Sequence, residues 1–154
     1  ILEATKGLIS STGLKKMSMI EIADASEVSR ATLYNHYRDK ESVLLALCES
    51  ELVRLVEIAQ NAPDATSALE QISLQVSSDP ALAAMRIQDP DQLSLALTKH
   101  DDHLWKGFAI ALHHLLGEGK SSLALRWLLG QALHPINAQQ SRAQAEAITG
   151  IANL

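Results

Sequence analysis

Arg30, Thr32, Tyr34, Asn35, His36 and Lys40 crowd into one short stretch, VSRATLYNHYRDK, from Val28 to Lys40. They bring hydroxyls, an amide, an imidazole and cations, with no nucleophile and base spaced to act together. Their chemistry is therefore recognition: donors aimed at anionic oxygens and at the polar edges of flat rings. Ala31 adds a methyl group and little bulk, which suits close approach to another surface. Leu33 and Val28 are the apolar members, and they define a single inward side.

These side chains need a rigid platform, and the preceding residues supply one. Ser18 followed by Glu21 is a capping box, and Met17 and Ile22 stand where a hydrophobic staple closes over it. A short helix is predicted from Met19, with Ile22, Ala23 and Ala25 on its buried side, until Ser26-Glu27 breaks the pattern. Val28-Ser29 repeats the signal, with Ser29 as N-cap and Val28 stapled to Leu33, so a second short helix runs from about Arg30 to His36. Two short capped helices at a tight turn form a helix-turn-helix. A second helix with a slim N-terminal end fits a major groove, where its first residues reach base edges. Asp39 is then an N-cap and Lys40 the first residue of the next helix, so the ammonium and the free amides of that helix start converge on one anion.

The stretch from Ile1 to Leu47 resembles the TetR family of bacterial transcriptional regulators. ILEA, Gly13 and IEIADASEVSRATLYNHYRDKESVL follow the family pattern in register, through VS, a basic residue, TLY, an aromatic after His, and a K-E-x-L entry to the fourth helix. Two positions depart from it: Glu27 stands where the turn usually has Gly, and Leu14 replaces the usual aromatic after Gly13. The resemblance implies an all-α protein, in which a three-helix DNA-binding head is followed by a helical ligand-binding and dimerisation domain. The boundaries are 1–39 and 40–154, joined by the helix 40–60. The implied partners are an operator in double-stranded DNA, a second copy of the chain, and a small apolar or aromatic effector, with repression released by that effector. Candidate DNA-binding residues are Ser18, Ser29, Arg30, Ala31, Thr32, Tyr34, Asn35, His36 and Lys40: Arg30 and Thr32 nearest the bases, Ala31 for a thymine methyl, and Tyr34, His36 and Lys40 on phosphates.

Composition agrees with this class. At 154 residues with 47% apolar, 20% charged and only 3% aromatic side chains, the chain favours helices built from Leu, Ile, Val and Ala over a β-sandwich. No apolar run reaches the length of a membrane span and no signal peptide opens the chain, so a cytoplasmic, nucleoid-associated location is the expectation. The chain starts without Met inside a helical pattern, so residues before Ile1 are expected, and in the resembled family they often carry basic side chains. The net charge of −5 is unusual for a DNA binder, but between Lys15 and Lys40 the cations slightly outnumber the acids. A modest footprint of that kind predicts dependence on a dimer and on salt. The lone Cys48 rules out a disulfide framework and reads as a small filler on the fourth helix.

The remaining elements follow from periodicity. A first helix spans Ile1 to about Ser11 and ends at Gly13. A long amphipathic helix runs from Lys40 to about Gln60, the covalent route from the head into the rest of the chain. Helices are then predicted from Asp64 to Ser78, from Asp79-Pro80 through Ile87, and from about Asp91 to Leu116, with Leu93, Leu97, Leu104, Phe108, Leu112 and Leu115 inward. Gly117 to Lys120 reads as a loop. Ser121 to His134 is apolar on more than one side and Asn137 to Leu154 carries a stripe of small residues, so Leu125, Leu128, Leu129, Ala132, Ala143, Ala147 and Ile151 are the candidate dimer interface. The bland alternative packs both helices within one subunit.

Met85, Ile87, Leu97, Trp105, Phe108 and Trp127 are the candidate effector-lining residues, although large apolar side chains at helical spacing are also what a core requires. His100-Asp101-Asp102-His103 places two imidazoles a turn apart, yet with no third ligand a solvated helix face explains it, and no metal or cofactor is called for. Of His113 and His114, one is expected packed and the other wet, and His134 before Pro135 reads as a helix C-terminal cation. The chain offers no Gly-rich phosphate loop or nucleophile elbow, so catalysis is not expected. The competing class is a non-catalytic helical protein that binds a metal or ligand without DNA; the full set from Arg30 to Lys40 argues against it.

Overall fold

The computed structural model describes residues 1–98 and 102–151, and the regular elements among them are all α-helices. In order they are α1 (Leu2–Thr12), α2 (Met19–Ala25), α3 (Arg30–His36), α4 (Lys40–Asn61), α5 (Ala65–Ser78), α6 (Pro80–Gln88), α7 (Pro90–Thr98), α8 (Asp102–Leu116), α9 (Glu118–Leu133) and α10 (Ala138–Gly150). Two compact units divide the chain: Ile1–Glu51 with Pro80–Ala96, and Leu52–Asp79 with Leu97–Leu154. No helix among the described residues is long and apolar enough to cross a membrane.

In the first unit α1 packs on α2 and α6, and α2 on α3. Its core joins Ile9, Met17, Ile22, Leu33 and Val43, with Ala81 and Met85 of α6 closing the same cluster. Ile9 of α1 packs in the same cluster as Ile22 and Leu33. Lys6 Nζ meets Glu51 Oε2 at 2.7 Å and so ties α1 to α4. Burying Leu33, Ile22 and Val43 completely is worth roughly 1.5–3 kcal/mol for each side chain.

In the second unit α5 packs on α9 and α10, and α8 on α9, around Leu69, Ile72, Phe108, Leu112, Leu128 and Ile148. A polar node lies within it: Ser73 Oγ donates to Gln131 Oε1 and contacts Ser141 Oγ, both at 2.7 Å, and Ser77 Oγ donates to the same Gln131 oxygen at 2.9 Å. Two further ties hold α10. Arg142 reaches Glu70 at 2.8 Å and Glu146 at 2.6 Å, and Lys120 Nζ donates to the Thr149 carbonyl near the helix C-terminus at 3.0 Å.

Several details differ from the periodicity. Glu118 to Lys120 are helical, and Gly117 alone separates α8 from α9: with φ 83° its N–H closes α8 on His113 O, while its carbonyl accepts from Ser121 N to open α9. The single helix expected from Asp91 to Leu116 is described as α7 and α8, with residues 99–101 outside the described residues. The side chains of the His100 to His103 cluster, of Leu104 and of Leu154 are likewise outside them. His113 and His114 are both exposed, because the buried side of α8 is the one carrying Phe108 and Leu112. Cys48 is an exposed residue of α4, since Val43 and Leu47 take the inward positions. Partial desolvation, followed by Glu51 and Glu49, pushes its thiol up and leaves it a poor thiolate.

Candidate nucleic-acid interface

The helix-turn-helix is built by its caps. Ser18 Oγ accepts from Glu21 N at 3.3 Å, and Ser18 N donates to Glu21 Oε2 at 2.7 Å, so the capping box closes in both directions. At the other end α2 stops in a Schellman turn: Glu27 N donates to Asp24 O at 3.2 Å and Val28 N to Ala23 O at 3.1 Å. That turn needs a left-handed residue, and Glu27 takes it with φ 55°, the sole non-Gly residue with positive φ among those described. Val28 is half-buried and packs against the cluster that holds Leu33, its expected staple partner.

Ser29 caps α3, accepting from Thr32 N at 3.0 Å, with the two hydroxyls 2.8 Å apart. Of the seven residues of α3 only Leu33 is buried; Arg30, Ala31, Thr32, Tyr34, Asn35 and His36 are all exposed. Tyr34 retains 53% of its surface. Ser18 and Ser29 are exposed too, each spending its oxygen on a cap.

Lys40 is placed differently from the rest. Its ammonium donates to Leu14 O at 3.2 Å and Met17 O at 3.0 Å, bracing the link between α1 and α2 from the first turn of α4. An ammonium has three donors, so one remains for an anion. Asp39 caps α4, accepting from Ser42 N at 2.8 Å, and that bond, with Arg38 Nε at 2.8 Å, holds its carboxyl below the usual range. Lys15, Lys16 and Arg38 are exposed cations of the same stretch. The sequence supplied them in the charge balance, but their exposure was not readable from spacing because they lie in links between helices.

The other candidates divide. Met85 and Ile87 belong to the first unit, Met85 against its core and Ile87 with 83% of its surface exposed. Leu97, Trp105, Phe108 and Trp127 belong to the second, where Phe108 is buried and Trp105 and Trp127 edge the core. Trp127 Nε1 donates to Gln144 Oε1 at 2.5 Å. Among the interface candidates Leu128 and Ala132 are buried inside the subunit, Leu125, Leu129 and Ile151 are half-buried, and Ala143 and Ala147 are exposed on the side of α10 opposite Ser141, Ala145 and Ile148. No group of three or more His, Cys, Asp or Glu fit to hold a metal occurs among the described residues.

A capped helix pair that offers one whole polar helix outward, on an all-helical scaffold, defines a DNA-binding regulator. Comparison with known proteins agrees. Residues 1–47 match the family of bacterial regulatory proteins of tetR type. A fatty acid metabolism regulator protein of Bacillus subtilis is 24% identical over 130 residues, spanning 79% of this chain and 67% of its own. The fold is shared with the TetR family repressor AlkX from Dietzia sp., at a TM-score of 0.72 and 20% identity over 97% of this chain and 93% of that one. It is shared too with the regulator FadR of Bacillus subtilis crystallised with stearoyl-CoA, at 0.61 and 15% identity over 98% and 97%.

Proposed function

We propose that the protein is a homodimeric repressor that reads a near-palindromic operator with two copies of α3 and is released by a long-chain fatty acyl-CoA. The observation that carries the DNA reading is α3 itself, free on every side but that of Leu33 and slim at its N-terminal turn. Arg30 and Thr32 face base edges, Ala31 a thymine methyl, and Asn35 lies one turn further along. Tyr34, His36 and the remaining donor of Lys40 hold phosphates, with Lys15, Lys16 and Arg38 adding to the charge around them.

Dimerisation is supported by the outward face of α10, where Ala143, Ala147 and Gly150 form an exposed small-residue stripe. Such a stripe allows two helices to approach closely across a two-fold axis. The acyl effector rests on the Bacillus subtilis relative and on the stearoyl-CoA carried by a protein of the same fold. The interior of the second unit suits an alkyl chain, being largely Leu and Ile with Phe108 inside and Trp105 and Trp127 toward its edge.

The test is a mobility shift with a duplex selected by the protein from a random pool, repeated with stearoyl-CoA and with free CoA. Binding to the selected duplex and its release by stearoyl-CoA alone are expected. Failure to retain any duplex would overturn the DNA reading, and retention unaffected by stearoyl-CoA would overturn the effector. Both tryptophans of the chain, Trp105 and Trp127, lie in the second unit, so their fluorescence reports acyl-CoA binding independently of DNA.

A further inference from the structure

The link between α1 and α2 starts at Gly13 and carries a restraint from far along the chain. Gly13 has φ 82°, and a Cβ added there would lie 2.6 Å from Gln88 Oε1 and 3.0 Å from Asp89 Oδ2. The next residue, Leu14, donates its N–H to Asp89 Oδ2 at 2.6 Å, a short charge-assisted bond. Asp89 is 2% exposed and is the single residue between α6 and α7; its N–H closes α6 on Met85 O and its carbonyl opens α7 by accepting from Leu93 N, both at 3.0 Å. On the other side of the same residue, Leu14 O accepts from Lys40 Nζ. Leu14 is thus held by a carboxylate from the α6–α7 junction at its N–H and by an ammonium from α4 at its carbonyl. Everything from there to Asp39 is the link, α2, the turn and α3.

We propose that Asp89 is a positioning residue for DNA reading. By holding the Leu14 N–H it fixes where α2 and α3 begin relative to α1 and α4, so α6 and α7 complete the reading head that the first 47 residues only start. This rests on the reading that α3 enters DNA. A group that sets register acts on base contacts, which need a fixed approach, more than on the diffuse attraction of phosphates.

The full-length chain is compared as wild type, Asp89→Ala, Asp89→Asn, Gly13→Ala and the Gly13→Ala/Asp89→Ala double variant, on the selected duplex and on a random one, with melting followed alongside. Asp89→Ala is expected to lose on the order of tenfold on the selected duplex and little on the random one. Asp89→Asn, whose side-chain oxygen still accepts from Leu14, recovers most of the loss. Gly13→Ala, whose methyl group would lie 3.0 Å from Asp89 Oδ2 at a φ that glycine alone takes easily, loses at least as much, and the double variant, which keeps that backbone strain, loses more than Asp89→Ala alone. An Asp89→Ala protein that reads the selected duplex like wild type overturns the proposal, as do equal losses on both duplexes, which would mark general destabilisation. Should Asp89→Ala not fold, Asp89→Ser, whose hydroxyl stops short of the Leu14 N–H, supplies the same comparison. Amide exchange of Leu14 in the wild type stands apart from DNA: protection with the core supports the clamp, and exchange as fast as in open loops sinks it. If wild type retains no duplex, the DNA reading fails while the exchange result still judges the clamp.

Discussion

Glu27 sits at φ 55° in the turn of the helix-turn-helix, and two opposing effects decide what glycine would do there. The left-handed conformation disfavours a residue with a Cβ by roughly 1–2 kcal/mol, while glycine's looser unfolded chain returns about 0.4–1 kcal/mol. The first is larger, so Glu27→Gly is expected to stabilise by about 0.5–1 kcal/mol and to raise the melting midpoint by a few degrees. A lowered midpoint would show that the Glu27 side chain contributes something the strain argument omits. Arg30 and Lys40 separate in the same way by role. Arg30→Ala should weaken the selected duplex by about 1–3 kcal/mol and leave random DNA nearly unchanged. Lys40→Ala should weaken both, flatten the salt slope by about one unit, and also lower the melting midpoint, because its ammonium braces the Leu14 and Met17 carbonyls. Titrations at several salt concentrations distinguish the two, and equal losses for Arg30→Ala on both duplexes would remove its base contact.

At the scale of elements, helix starts carry the pH dependence. Asp39 caps α4 and Asp64 caps α5, and each carboxyl is held below its usual range, first by the backbone N–H of Ser42 and of Ser67 respectively. A depressed folded-state value means that the unfolded chain takes up protons first as pH falls. The contribution is therefore whole above the ordinary carboxylate range and disappears as pH drops through the lowered values. Asp39→Asn and Asp64→Asn are each expected to reduce the difference in urea midpoint between neutral and strongly acid solution; an unchanged difference would place the acid sensitivity elsewhere. These caps were also the most legible part of the sequence. Ser18 with Glu21, Ser29 and Asp39 are local signals, satisfied within a turn of where they stand, and the bounds of α2 and α3 follow from them. Gly117 misled because one glycine at positive φ changes helix direction in a single residue, where the cluster Gly117 to Lys120 suggested a loop. Asp89 was illegible in a different sense: it reads as a helix stop before Pro90, and nothing in its neighbours says that its carboxylate meets Leu14, 75 positions away.

At the scale of the molecule, the candidate interface residues separate into an inward and an outward set. Leu128 lies in the core of the second unit at 4% exposure, so Leu128→Arg is expected to unfold that unit, by about 3–5 kcal/mol or more for an uncompensated buried charge. Ala147 is exposed on α10, so Ala147→Arg should leave the subunit fold intact while splitting the proposed dimer. Sedimentation velocity decides: a dimer that survives Ala147→Arg would move the two-fold contact off this face.

The chain leaves the first unit at Leu52, returns at Pro80, and departs again at Leu97. A graft of another chain's leading 47 residues onto this body sets a foreign link against the Gln88–Asp89 corner that meets Gly13 and Leu14 here. On the proposed clamp, altering this protein's operator preference calls for substitutions on the outer side of α3, or for exchanges that carry both segments together.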